Sequence, residues 1–337
     1  MIWTQHLADY LIFLLEVITI VVAILLIVSG IVAAAAKGKL KESGKLTIRP
    51  LHTHYKEMKR QLEHGIYTHS DLKREMKAEK RIIKQERKKA KKEHTHAKRI
   101  FVLTFDGDMR ASQVESLREE VTAVLRVAKP SDEIVVKLES AGGVVHGYGL
   151  AASQLERIKQ SHVPLTITVD KVAASGGYMM AVIADKLIAA PFAIIGSIGV
   201  IAQLPNFNRL LEDKGVDIEL HTAGKFKRTL TTLGKNTEEG RQKFKEELEE
   251  VHHLFKDHII KYRENLDLDK VATGEYWFGH DAHNLELVDK LMTSDDYLLF
   301  AYEKENCELY EVQYKIKKGR FHKLHAAVEK SLFRVGL

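Results

Sequence analysis

The chain has 337 residues, enough for one substantial core or two small ones with further segments outside them. Its 45% hydrophobic and 29% charged residues are the balance of a folded protein, and a single cysteine, Cys307, excludes an intramolecular disulfide framework. The net charge of +6 hides an asymmetry: residues 37–99 hold 21 Lys and Arg against 8 Asp and Glu, so that segment stands at +13 and the rest of the chain at −7.

Residues 17–36, VITIVVAILLIVSGIVAAAA, carry no charge. A helix of that length is about 30 Å long, the thickness of a bilayer's hydrocarbon core, so the expectation is a transmembrane anchor. Asp9 and Glu16 precede it and Lys37, Lys39 and Lys41 follow, which by the positive-inside rule favours the cytoplasm for everything after the span. A buried core helix is one alternative, though such helices are seldom this long and uniformly apolar, and a cleaved signal peptide is another, with Ala33 to Ala36 as small residues at the cut. It lacks the basic stretch such peptides carry before their apolar run.

Residues 37–99 follow as a basic, charge-dense linker. Leu72 to His94 contain no glycine or proline and favour a solvated helix. The segment reads as a plain spacer, as a spacer attracted to anionic lipid headgroups, or as a nucleic-acid binder. Tyr55 and Tyr67 are its only Phe, Trp or Tyr residues, so nucleic acid is not expected as a partner. His52 with His54, and His94 with His96, lack a third ligand at metal-binding spacing and are read as solvated or locally bonded.

From Ile100 the texture changes. Residues 100–105, 133–138, 164–169, 186–190 and 217–221 have strand length and are mostly rich in β-branched residues. Ser112 and Glu115 can form a capping box before a helix with Val114, Leu117, Val121 and Val124 on one face. Asn236 and Glu239 can cap a long helix with Phe244, Leu248, Val251, Phe255 and Ile259 on one face. Alternating strands and helices predict an α/β core. The apolar run 187–204 is interrupted by Pro191, Gly196 and Gly199 and reads as buried strands and turns.

Within VAASGGYMMA, residues 172–181, Ser175 sits between small residues that leave room for a substrate backbone. A serine hydroxyl needs a base. His146 and His221 have no local link to it and read as structural or surface residues. A lysine would have to be neutral near pH 7, about 4 kcal/mol from an ordinary ammonium. Lys225, two residues before Lys227, is a cation that could help if both faced one side of a strand. Taken one at a time, Ser175 could equally be a packing residue, Ser197 a turn residue and Lys227 a surface cation.

The segments ESAGG (139–143), VAASGGYMMA (172–181), GSIGV (196–200) and AGKFKRTL (223–230) resemble, in order, motifs of the signal peptide peptidase A family of serine-lysine proteases, most of all its SohB-type inner-membrane members. The likeness runs from about Ile100 to Thr293. It implies Ser175 as nucleophile, Lys227 as general base and Ser197 as the hydroxyl that orients the lysine. Gly143 and Gly176 would be the oxyanion donors, with Gly142 as a further candidate. Ala141 departs from the proline usual in the family's glycine turn, which leaves that loop freer without removing a donor.

The resemblance further implies a crotonase-like or Clp-protease-like core of repeated ββα units. It divides the chain into an anchor segment (1–36), a basic linker (37–99), a protease domain (100–295) and a C-terminal extension (296–337). The expectation is a single-pass, inner-membrane serine endopeptidase acting on signal-peptide remnants or unfolded and membrane-associated polypeptides. Its partners would be the lipid bilayer and further copies of itself in a ring, with no metal or organic cofactor. Two rivals are acyl-thioester chemistry on the same kind of fold, against which the Ser175 and Lys227 pair argues, and a catalytically silent oligomeric scaffold, which only Ala141 encourages.

Overall fold

The computed structural model describes residues 14–15, 17–23, 44–68, 70–71, 73–74, 77, 81 and 97–316. The chain divides into two compact units, Met1–Lys45 with Lys315–Leu337, and Leu46–Tyr314.

The expected membrane-spanning helix over 17–36 is corrected. Among the described residues no helix is long and apolar enough to cross a membrane. Residues 17–23 are helical and exposed. Residues 24–36 lie outside the described residues. The anchored fold class, the single-pass inner-membrane location with its cytoplasmic orientation, and the lipid-bilayer partner all rested on that helix and fall with it. Of the basic linker, only scattered helical positions are described between Ser70 and Arg81, and 82–96 lie outside the described residues.

The second unit is built on a ten-stranded sheet. Its strands are β1 (Lys45–Pro50), β2 (Arg99–Gly107), β3 (Glu133–Ser140), β4 (Leu165–Val169), β5 (Val172–Ala174), β6 (Lys186–Ala189), β7 (Ile194–Gly196), β8 (Tyr276–Phe278), β9 (Lys290–Leu291) and β10 (Glu308–Lys315). The main path runs β1-β10-β2-β3-β4-β6-β9, while β5 leaves β3 to pair with β7, and β7 with β8. Every pair from β10 to β9 along the main path is parallel, as are β3–β5 and β5–β7, and β7–β8 is antiparallel.

Parallel strands need crossovers and protection on both faces, which the helices supply. They are α1 (Leu51–Ile66), α2 (Val114–Leu125), α3 (Val145–Gln160), α4 (Gly176–Ala181), α5 (Asn208–Asp213), α6 (Glu238–Tyr262), α7 (Leu268–Val271), α8 (Gly279–Asn284) and α9 (Ser294–Glu303). The period-2 alternation of β2 sends Phe101, Leu103 and Phe105 into the larger core with Leu117 and Val121 of α2. It sends Ile100 and Val102 into a smaller core with Leu298 and Ala301 of α9, against which Leu51 and Tyr55 of α1 pack.

Two capping expectations are corrected. Helix α2 starts without a side-chain cap; Asp108 Oδ1 instead accepts from Ser112 N (2.8 Å), and Glu115 pairs with Arg118. Thr237, not Asn236, caps α6 by accepting from Gly240 N (3.1 Å), while Asn236 Oδ1 accepts from Thr231 N (2.9 Å). The segment 217–221 is exposed and outside any strand, because no neighbouring strand receives its hydrogen bonds. The run 187–204 divides: Leu187 to Ala189 and Ile195 are buried in strands, but Ile201 is 89% exposed.

Candidate active site

The fork in the sheet makes the site. Strand β3 is hydrogen-bonded to β4 through Ile134 to Lys137, then at Ser140 turns its pairing to Ala173 of β5. At the end of β5 the chain reverses direction at Ser175, whose φ of +51° and ψ of −120° are strained for an L-residue, and α4 begins at Gly176. Ser175 N donates to Gly196 O (2.8 Å). The first turn of α4 closes with Met179 N donating to Ser175 O (2.9 Å). The N–H groups of Gly176, Gly177 and Tyr178 therefore precede the first intrahelical bond.

The register Ala174↔Gly196 places Ser197 one residue beyond β7, level with Ser175 one residue beyond β5. Ser197 too has positive φ, +48°. Its N–H donates to Glu275 O (2.7 Å) and its hydroxyl to Gly274 O (3.3 Å).

The glycine pair after β3 completes the cluster. Gly142 has φ of +90°, and a β-carbon there would lie 2.8 Å from Ala174 O, Gly176 N and Ser175 Cβ. Only glycine lets this loop lie against the serine turn. Gly142 N donates to Ser140 Oγ (3.0 Å), so of the two glycines its N–H is already engaged. Gly143 has no room for a side chain either, because Met109 O would lie 2.1 Å from a β-carbon, and Val144 N donates to that same carbonyl (2.9 Å). Ala141 is exposed at the apex of the loop.

The structure thus brings together Ser175, Gly176, Gly142, Gly143 and the backbone of Ser197. It does not bring Lys227 to them. Lys227 is exposed in the segment 201–236, and among the described residues no hydrogen bond or ion pair joins it to Ser175 or Ser197. Residues 223–227 are bends and turns, so no strand sets Lys225 and Lys227 on one side. Lys225 is committed elsewhere, to Glu239 at 2.7 Å and the Phe226 ring at 5.0 Å. His221 is exposed beside Glu219 and His146 is exposed at the start of α3, and among the described residues no hydrogen bond joins either to Ser175.

Several residues of the site carry no recognisable signal in the sequence. The Tyr148 hydroxyl donates to Asp108 O (2.8 Å) and meets Ser140 Oγ at 2.5 Å. His258 of α6 donates Nε2–H to Met179 O (2.9 Å), and burial lowers the pKa of its imidazole. Tyr178 anchors α4 by donating to Leu287 O (2.9 Å), its phenol held protonated by complete burial. Each bond joins residues that only the folded chain makes neighbours.

A strained serine at a strand-to-helix reversal, faced by a glycine loop and free amide groups, is the apparatus of acyl transfer to serine. The profile of the peptidase family S49 N-terminal region matches residues 5–155, and that of peptidase family S49 matches residues 157–308. The chain belongs to peptidase family S49, whose members use a serine-lysine dyad, and it is a serine endopeptidase. It is 47% identical over 337 residues to the probable protease SohB of Haemophilus influenzae, covering 98% of this chain and 95% of that one. It is 44% identical over 300 residues to the probable protease SohB of Buchnera aphidicola subsp. Schlechtendalia chinensis, covering 86% and 98%. With the serine protease SPPA of Arabidopsis thaliana chloroplasts it shares 28% identity over 199 residues, 58% of this chain and 29% of that one. The resemblance read from the four motifs therefore holds. The membrane-anchored part of the functional expectation does not, for the reason given with the fold.

Proposed function

We propose that Ser175 is the nucleophile and Lys227 the general base of this endopeptidase, and that the lysine is supplied by a second copy of the chain. The reading is carried by Ser175 itself, held in a strained conformation with its backbone pinned to Gly196 O and the Gly142–Gly143 loop against it. Lys227, in its neutral form, takes the Ser175 proton as Oγ attacks the scissile carbonyl. The N–H groups of Gly176 and Gly143 stabilise the oxyanion; Gly142 is set aside as a donor because its N–H is engaged by Ser140. The lysine ammonium then gives its proton to the leaving amine, and a water activated by the same lysine hydrolyses the acyl-enzyme. Ser197, level with Ser175, orients the lysine.

Sharing the dyad between copies accounts for two features of the single chain. Lys227 lies in an exposed segment, and that segment and the rim of β7–β8 expose apolar side chains, Ile201 at 89% and Phe192 at 84%, with Phe207, Leu210 and Phe278 also open. Apolar surface of this kind marks an interface. Sites enclosed between copies would admit extended, unfolded polypeptide rather than folded protein, so unfolded protein is the substrate class.

The test is hydrolysis of an unfolded protein by wild type, Ser175→Ala and Lys227→Ala, with assembly size measured alongside. Each variant is expected to assemble normally and to lose hydrolysis. Mixed and reassembled, the two variants should recover activity, because about a quarter of random interfaces pair an intact serine with an intact lysine. An assembled variant with wild-type turnover refutes the dyad, and mixed assemblies without recovery refute its sharing.

A further inference from the structure

One side chain touches both halves of the proposed oxyanion site, and nothing about the dyad requires it. Tyr148 of α3 is fully buried. Its ring lies under the first residue of α4: a β-carbon added at Gly176 would sit 2.4 Å from Tyr148 Cγ. Its hydroxyl heads a chain of hydrogen bonds into the glycine loop. Tyr148 Oη–H donates to Asp108 O (2.8 Å), so the Ser140 hydroxyl, 2.5 Å away, donates to Tyr148 Oη, and Gly142 N–H donates to Ser140 Oγ (3.0 Å). The far end is fixed as well. Asp108 Oδ1 accepts from Arg110 N (3.1 Å) and Ser112 N (2.8 Å), and the next carbonyl, Met109 O, accepts from Val144 N (2.9 Å).

We infer that Ser140 and Tyr148 are positioning residues that set the distance between the Gly143 and Gly176 amides, the loop through the hydroxyl relay and the helix through the ring. The inference rests on the proposed roles of Ser175, Gly143 and Gly176. A glycine loop with alanine at its apex has backbone freedom to drift, and a loop that carries an oxyanion donor must be placed before the charge develops, not by it. The relay provides that placement from a buried point, and it places Gly142 with the donor turned inward, leaving the following amide for the substrate. The relay holds across the neutral range because burial raises the pKa of the Tyr148 phenol and keeps it a donor. Ser140 is 2% exposed and shares its pocket with Gly107 and Gly177, whose added β-carbons would lie 2.5 Å from Ser140 Oγ and Ser140 O respectively. Those two glycines let the relay pack between β2, β3 and α4.

The test is steady-state hydrolysis by the full chain carrying Tyr148→Phe, Ser140→Ala or both, with Ser175→Ala as control. Rates of the Tyr148 and Ser140 variants are taken per active serine titrated with a covalent peptide trap, so that misfolded chains do not count, and that of Ser175→Ala per assembled chain. Tyr148→Phe keeps the ring under Gly176 and removes only the relay. It should lower kcat about tenfold, less than the 10²–10³ lost with an oxyanion donor itself, while KM stays within about twofold. The double variant should be no slower than Ser140→Ala alone, because both changes break one relay. Tyr148→Phe with wild-type kcat, a KM increase at unchanged kcat, or fully additive losses would overturn the inference. If Ser175→Ala is inactive and Tyr148→Phe is unaffected, only the positioning role fails; if Ser175→Ala remains active, the nucleophile assignment fails first.

Discussion

Ser175 occupies a backbone conformation that an L-residue adopts at a cost of about 1–2 kcal/mol, offset by its amide bond to Gly196 O and the closing turn of α4. Replacing it by glycine removes both the hydroxyl and the strain, whereas alanine removes the hydroxyl alone. Ser175→Gly should therefore melt about 2 °C above Ser175→Ala, even after glycine's greater freedom in the unfolded chain is counted, and both should be inactive. Equal melting temperatures would mean that the turn is not strained. At this scale the serine and the glycines around it were legible, because a small residue beside a nucleophile leaves a mark in the sequence. Tyr148 and Ser140 were not: they lie eight residues apart, and their bond exists only because α3 folds back under the loop. The pairing of Lys225 was hidden for a related reason, since its partner Glu239 belongs to the first turn of α6.

Among elements, β2, β3 and β4 were readable because each is rich in β-branched residues and buried on two faces, a pattern that parallel sheets impose, and β6 because it is a short buried apolar run. The segment 217–221, DIELH, has the length and alternation of a strand but lies outside any strand, and alternation does not encode the neighbour. The role of β10 was equally hidden. Its last turn of pairing is tied to α2 by Tyr314 N donating to Glu120 Oε1 (2.7 Å), while Glu120 Oε2 is buried without a partner. Burial pushes this carboxyl from its ordinary 4.5 up to about 7. A carboxyl raised in the folded state binds its proton more tightly there than in the unfolded chain. Its contribution is thus most favourable below pH 4.5, declines as pH rises through 7, and is lost above it, by up to about 3 kcal/mol. Glu120→Gln keeps the acceptor for Tyr314 and cannot ionise. It should raise the melting temperature over wild type at pH 8 and leave it nearly unchanged at pH 4. A difference independent of pH would show that Glu120 does not titrate in this range.

At the scale of the whole molecule, the charge map and the site belong to different parts of the chain. The +13 segment precedes β2, and the residues that surround Ser175 come from β3, β5, β7 and the loops between them. An uncharged run of twenty residues read as a membrane span because length and hydropathy are all the sequence offers there, and the described residues contain no such helix. The motif order, by contrast, identified a serine-lysine protease, because four short segments in one order, three of which meet around the Ser175 turn, constrain chemistry far more than any hydropathy window does. What remains separate in the single chain is the lysine. The central claim is that Ser175 becomes a nucleophile only when Lys227 removes its proton, and the most direct measurement is covalent: the assembled chain is treated with a peptidyl β-lactone, and the acylated residue is mapped by mass spectrometry. The account predicts one adduct, on Ser175, formed by wild type and nearly absent from Lys227→Ala. An adduct on another serine, or equally fast acylation of Ser175 without Lys227, would contradict it.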